Sequence, residues 1–161
     1  MADQKGPERT DILIEGNTAS WDININGDVN GTYSGTFRFR CFLTPTQHLA
    51  AGRRYRELLG ANPTLATVHD DNLAYSLSQL KERILSAPPF WTSNGEAGDL
   101  PDENVIDEVL KAAIDAELKY KVQLKKKRGE ALEKAKNAAE RMLKEREEEP
   151  AEDGEGEAAS N

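Results

Sequence analysis

A chain of 161 residues has room for one domain and an appendage, and with 37% hydrophobic and 31% charged residues its core has to be small. A net charge of −8 argues against nucleic-acid binding by phosphate neutralisation, which needs clustered Lys and Arg. Membrane insertion is excluded in the same way, because no run approaches the roughly 18 apolar residues of a span.

Met1 to Gly16 is too polar for a signal peptide. Cys41, the single cysteine, has no partner for an intramolecular disulfide or for a Cys-based metal site, so a reducing cytoplasm is expected. Residues 1–18 read as a flexible N-terminus, with Ile12, Leu13 and Ile14 as one short apolar patch.

Alternation then begins. Trp21, Ile23 and Ile25 share one face and Asp22, Asn24 and Asn26 the other, the period of two that a half-buried strand requires. Gly27 to Gly31 breaks it with turn residues. It resumes with Tyr33, Phe37, Phe39, Cys41 and Leu43 on one side, and Thr36, Arg38, Arg40 and Phe42 on the other. A hairpin with one aromatic face follows, and such a hairpin is marginal in water unless something packs on it.

Helices supply the cover. Thr44, Pro45 and Gln47 form a capping box with Pro at the first helical position, so a helix is expected through Leu49, Tyr55, Leu58 and Leu59 to a C-cap at Gly60. A second helix, capped near Asp70 and Asp71, carries Leu73, Leu77, Leu80 and Ile84 and ends before Pro88. Phe90 and Trp91 are expected in an extended stretch, and Asn94 to Asp102 in a loop. Asp102 then caps a third helix bearing Val105, Ile106, Val109, Leu110, Ala113, Ile114 and Leu118.

This third helix has no obvious stop. Lys125 to Glu149 holds nine basic and seven acidic residues, with Glu130 and Lys134, and Glu140 and Lys144, spaced four apart in the favourable order. Leu124, Ala131 and Ala138 recur every seven residues, with Ala135 and Met142 between and beyond. A solvated single helix is the expectation, and this faint coiled-coil repeat leaves room for weak homo-oligomerisation. After Pro150 the chain is mostly Glu, Gly and Ala with no large apolar residue and is expected to be a disordered acidic tail.

Four patterns that could carry chemistry read as structural. Asp22 to Asn30 matches the first nine positions of a calcium loop, but Tyr33 stands where a bidentate Glu is needed, so a polar turn is expected. His48 and His69 have no Cys or third His nearby. Cys41 falls on the aromatic face, where it acts as a small hydrophobe. Lys125 to Arg128, flanked by Glu130 and Glu133, reads as one turn of solvated helix. No phosphate-binding glycine loop or nucleophile elbow is present. The expectation is no catalytic residue, no cofactor and no metal.

Gly35 to Cys41, the turn into Leu43-Thr44-Pro45, the block Tyr55 to Gly60, the corner Pro88-Pro89-Phe90-Trp91 and the helix Asp102 to Lys119 together resemble small proteins encoded among tailed-bacteriophage structural genes. Some of those are similar to tail assembly chaperones. The resemblance covers roughly residues 20 to 122, and the charged extension after Leu124 lies outside it. It implies a non-enzymatic protein that covers a helical tape-measure-type client in the host bacterial cytoplasm before the tail tube polymerises. The alternative is a minor virion component, such as a capsid, tail-joining or scaffold-like protein, retained in the particle.

Phe42, Phe90 and Trp91 have no assured place in so small a core, and exposed aromatics beside polar loops suit protein recognition. These three are the candidate protein-binding residues, with Trp91 as the anchor; otherwise Trp91 fills the gap between hairpin and helices. The expected fold is α+β: an N-terminal antiparallel hairpin on about three helices (19–122), with a flexible N-terminus (1–18), a charged solvated helix (123–149) and a disordered acidic tail (150–161).

Overall fold

The computed structural model describes residues 12–92 and 100–148 of the chain. The expected acidic tail (150–161), residues 1–11 and residues 94–99 of the expected loop lie outside them.

The two alternating segments form the hairpin. Before it, Leu13–Glu15 is strand β1; Thr18–Asn26 is β2 and Thr32–Arg40 is β3, with Ala19 opposite Phe39 and Trp21 opposite Phe37. Successive strand residues point to opposite faces. Trp21, Ile23, Tyr33, Phe37 and Phe39 therefore share one buried side, while Asp22, Asn24, Ser34, Thr36 and Arg38 stay exposed on the other.

Two short strands extend the hairpin to a four-stranded antiparallel sheet in the order β1-β2-β3-β4, where β4 is Ile84–Ser86. Two expectations change here. Leu13–Glu15 is not loose, because it pairs with Thr18 to Ser20 and Ile12 beside it is buried. Ile84 is not helical: its N–H caps the preceding helix at Leu80 O, and its extended backbone pairs with Phe39.

Helix α1 (Pro45–Leu59) starts at the Thr44–Gln47 capping box and stops at Gly60, as the sequence dictates. Its apolar residues behave otherwise. Only Ala51 is fully buried and Leu49 and Leu58 stay exposed, because α1 packs chiefly on the second helix. That helix, α2 (Val68–Arg83), is capped by Thr67 in a box with Asp70, so the cap lies ahead of the expected Asp70 and Asp71.

Pro89–Thr92 is one turn of helix, α3, in place of the expected extended stretch. Trp91 N donates to Pro88 O at 3.0 Å, and Pro89 suits the start of a helix because its φ is already fixed. Pro88 sits against Gly35 of β3, where a Cβ would lie 2.6 Å from the Pro88 Cβ and the φ of +149° is one that only glycine adopts freely.

Helix α4 runs from Glu103 to Glu148. Val105, Ile106, Val109, Ala112, Ala113 and Ala116 recur at helical spacing, are all buried, and join Leu80 of α2 in covering the aromatic face. His69 Nε2 lies 3.1 Å from Glu103 Oε2, and Arg83 Nη1 lies 2.6 Å from Glu117 Oε2. Both helices advance by the same fourteen residues between these contacts, so α2 and α4 run parallel for about 21 Å at 1.5 Å per residue.

By its contacts the chain divides into two units, the first ending at Lys121 and the second beginning at Val122. In the second, every described side chain from Lys125 to Arg146 is exposed.

Candidate protein-binding surface

The aromatic face is built around Phe37, which is fully buried. Its ring meets Trp21 at 6.3 Å, Phe39 at 5.7 Å, Phe90 at 6.1 Å and, nearly perpendicular, Trp91 at 5.1 Å. Phe90 also meets Tyr33 edge-on at 5.0 Å. Offset and edge-on pairs at these distances are the favoured geometries of aromatic packing.

This arrangement settles where two of the three expected binding residues sit. Trp91 is only 7% exposed, so it fills the core and is not an exposed anchor. Phe90 is half-buried in the same cluster. The single turn of α3 turns both rings toward Phe37, which an extended stretch, with its alternating faces, could not do.

Phe42 differs. Its parity sets it opposite Phe37, Phe39 and Cys41; it is 40% exposed and stacks on Tyr120 of α4 with centroids 5.8 Å apart and planes 23° from parallel. The sequence indicated Phe42 by alternation but gave no sign of Tyr120. Ile114 and Leu118, one turn apart on α4, are also exposed within the first unit.

The buried polar groups hold elements together. Asp102 is 1% exposed, and its carboxylate accepts from Val29 N at 2.5 Å, Asn30 N at 3.0 Å and the Tyr33 hydroxyl at 2.6 Å. Expected as a helix cap, its side chain instead clamps the hairpin turn against the start of α4. Gly27 makes room, since a Cβ there would lie 2.5 Å from Asp102 Oδ2. The turn presents N–H donors to an acid, the opposite polarity from a calcium loop. Burial pushes the Asp102 pKa up, but the hydrogen bonds from Tyr33 and the Val29, Asn30 and Asp28 amides outweigh it and hold it below the usual 3.8. Donating to Asp102 is the main reason that the Tyr33 hydroxyl is raised above its usual 10.0.

Arg83, 6% exposed, is matched by Glu117, which also accepts from Lys121 Nζ at 2.5 Å. Burial raises the Glu117 pKa, and the hydrogen bonds from Lys121 and Arg83 bring it below the usual 4.5. Cys41 is fully buried and its thiol is pushed up by that burial, which disfavours the thiolate a nucleophile needs. Among the described residues no group of three or more His, Cys, Asp or Glu is placed to hold a metal ion, and no helix is long and apolar enough to cross a membrane.

Compared with protein-family models, with curated proteins and with solved structures, the chain matches none.

Proposed function

We propose that this chain is a non-enzymatic assembly protein that binds a helical protein client, in the manner of a bacteriophage tail assembly chaperone acting in the host cytoplasm. The observation that carries the binding role is the Phe42–Tyr120 pair. An exposed aromatic held in place by stacking has already lost much of its rotamer freedom, so less is lost when a partner covers it. Aromatic anchors of this kind dominate the energetics of protein interfaces. The phage assignment draws its support from the sequence resemblance alone.

The test is co-expression with a helical tape-measure-type protein, followed by pull-down and thermal melting. Phe42→Ala should weaken client capture by about 2 kcal/mol, the lower bound for an interface hot spot, with little change in melting temperature. Trp91→Ala should do the reverse, destabilising the fold by about 3 to 5 kcal/mol while the folded fraction still binds. Unchanged capture by Phe42→Ala would remove the proposed surface. Stoichiometric copies of the protein in finished particles would defeat the chaperone role in favour of a virion component.

A further inference from the structure

Between Val122 and Arg146 the chain carries nine basic and four acidic residues, and their placement around the helix is uneven. Leu124, Ala131, Ala135, Ala138 and Met142 follow one another by sevens, fours and threes, which aligns them along one side. Leu132 and Leu143 widen this stripe and are 74% and 61% exposed, and Met142 is 68% exposed. Arg128 interrupts it near the start and Glu145 closes it.

Lys127, Lys134 and Arg141 are seven residues apart, so they form a row along one edge of the stripe. The other edge carries Lys125, Leu132, Ala139 and Arg146. Neither edge row holds an acid; Glu133 and Glu140 lie on the far side of the helix, and Glu130 lies just outside the first row, away from the stripe. Among the described residues, Lys127, Lys134 and Arg141 make no ion pair within 4.0 Å.

From this charge pattern we propose that the Leu124–Leu143 stripe docks a helix of another protein whose flanking positions are acidic. A second copy of the chain is a poor occupant. In an antiparallel pair the Lys127, Lys134 and Arg141 rows would face each other, and in a parallel pair Arg141 would face Arg146, so like charges meet in both registers. Three of the seven stripe residues are alanine, which lets two helix backbones approach closely but buries little area in a lipid surface. Nucleic acid would use the basic row and leave the apolar stripe uncovered. This surface is independent of the Phe42–Tyr120 pair and belongs to the second unit.

The experiment titrates the full chain with two synthetic helical peptides that share an Ala/Leu seam and differ only at the flanking positions, Glu in one and Lys in the other. The Glu-edged peptide should bind at least about tenfold tighter, and its affinity should fall as salt is raised. In a Lys134→Glu/Arg141→Glu variant the preference should reverse, while Phe42→Ala leaves it unchanged. Equal affinity for both peptides, or no binding of either, would overturn the proposal. So would self-association of the full chain that an Ala135→Lys substitution abolishes, or tighter binding to anionic phosphatidylglycerol vesicles or to duplex DNA than to the Glu-edged peptide. Loss of client capture in Phe42→Ala with intact peptide binding would show that the two surfaces act separately.

Discussion

Along α4, the stretch from Val105 to Ala116 buries six side chains against the aromatic sheet, whereas from Lys125 to Arg146 no described side chain is buried at all. Both stretches are helical, so they are stabilised by different means. The first is helical because one face enters a core, the usual source of helix stability in a folded protein. The second depends on the intrinsic propensity of its Ala, Leu, Lys, Glu and Arg residues, which is worth only tenths of a kcal/mol per residue. The apolar stripe of the second stretch stays exposed, while the front of the same helix is already engaged in the core.

The comparison breaks most sharply at the core. Phe39 is fully buried with no charge to receive a carboxylate, so Phe39→Asp should cost several kcal/mol and unfold the first unit. Far-ultraviolet circular dichroism and a chemical melt would register this, and a variant that melts like the parent would refute the core. Next comes the polar link between α2 and α4. Glu117→Ala strands the buried Arg83 guanidinium and should cost about 3 kcal/mol in urea denaturation, since removing one member of a buried pair leaves the other uncompensated.

Acid should act on the first unit in the same direction by a smaller amount. Asp102 and Glu117 both have folded pKa values below their usual 3.8 and 4.5. Their contribution is therefore complete above those usual values and is lost as the pH falls through the lower, folded ones. Melting temperature should drop progressively below about pH 4.5 in the parent and less steeply in Asp102→Asn, with Glu117 still titrating.

The smallest effect lies in the second unit. A Cβ added at Gly129 meets nothing within 4 Å, and Gly in a helix interior is about 0.8 to 1 kcal/mol worse than Ala. Gly129→Ala should raise helical content after Val122 without moving the main melting transition. A shift of that transition by several degrees would mean that the two units unfold as one.

Much of this contrast was legible in the residues, and the reasons are local. Alternation through Trp21, Ile23, Phe37 and Phe39 fixed the hairpin's buried face, and the Thr44–Gln47 box with Gly60 bounded α1, because these signals repeat or act within one turn. Strands β1 and β4 were invisible, since three residues contain no period and pair only because the hairpin edges are available. The Thr67–Asp70 box was present in the sequence and was overshadowed by the Asp70-Asp71 pair. Alternation also placed Phe42 off the core face, whereas Phe90 and Trp91 were misplaced because a single helical turn after Pro88 leaves no periodic trace. The Asp102 clamp had no sequence signal, because residues 29 and 102 meet only in the folded chain.

Native-state hydrogen exchange of the isolated full chain tests the contrast within α4 most directly. Amides from Val105 to Ala116 should exchange only through global unfolding, and protection should fall away after Lys121 to near the level of a fraying helix through Arg146. Protection from Lys125 to Arg146 equal to that of the front would contradict the account, because the stripe would then be covered in the free protein and could not be the docking face for another helix.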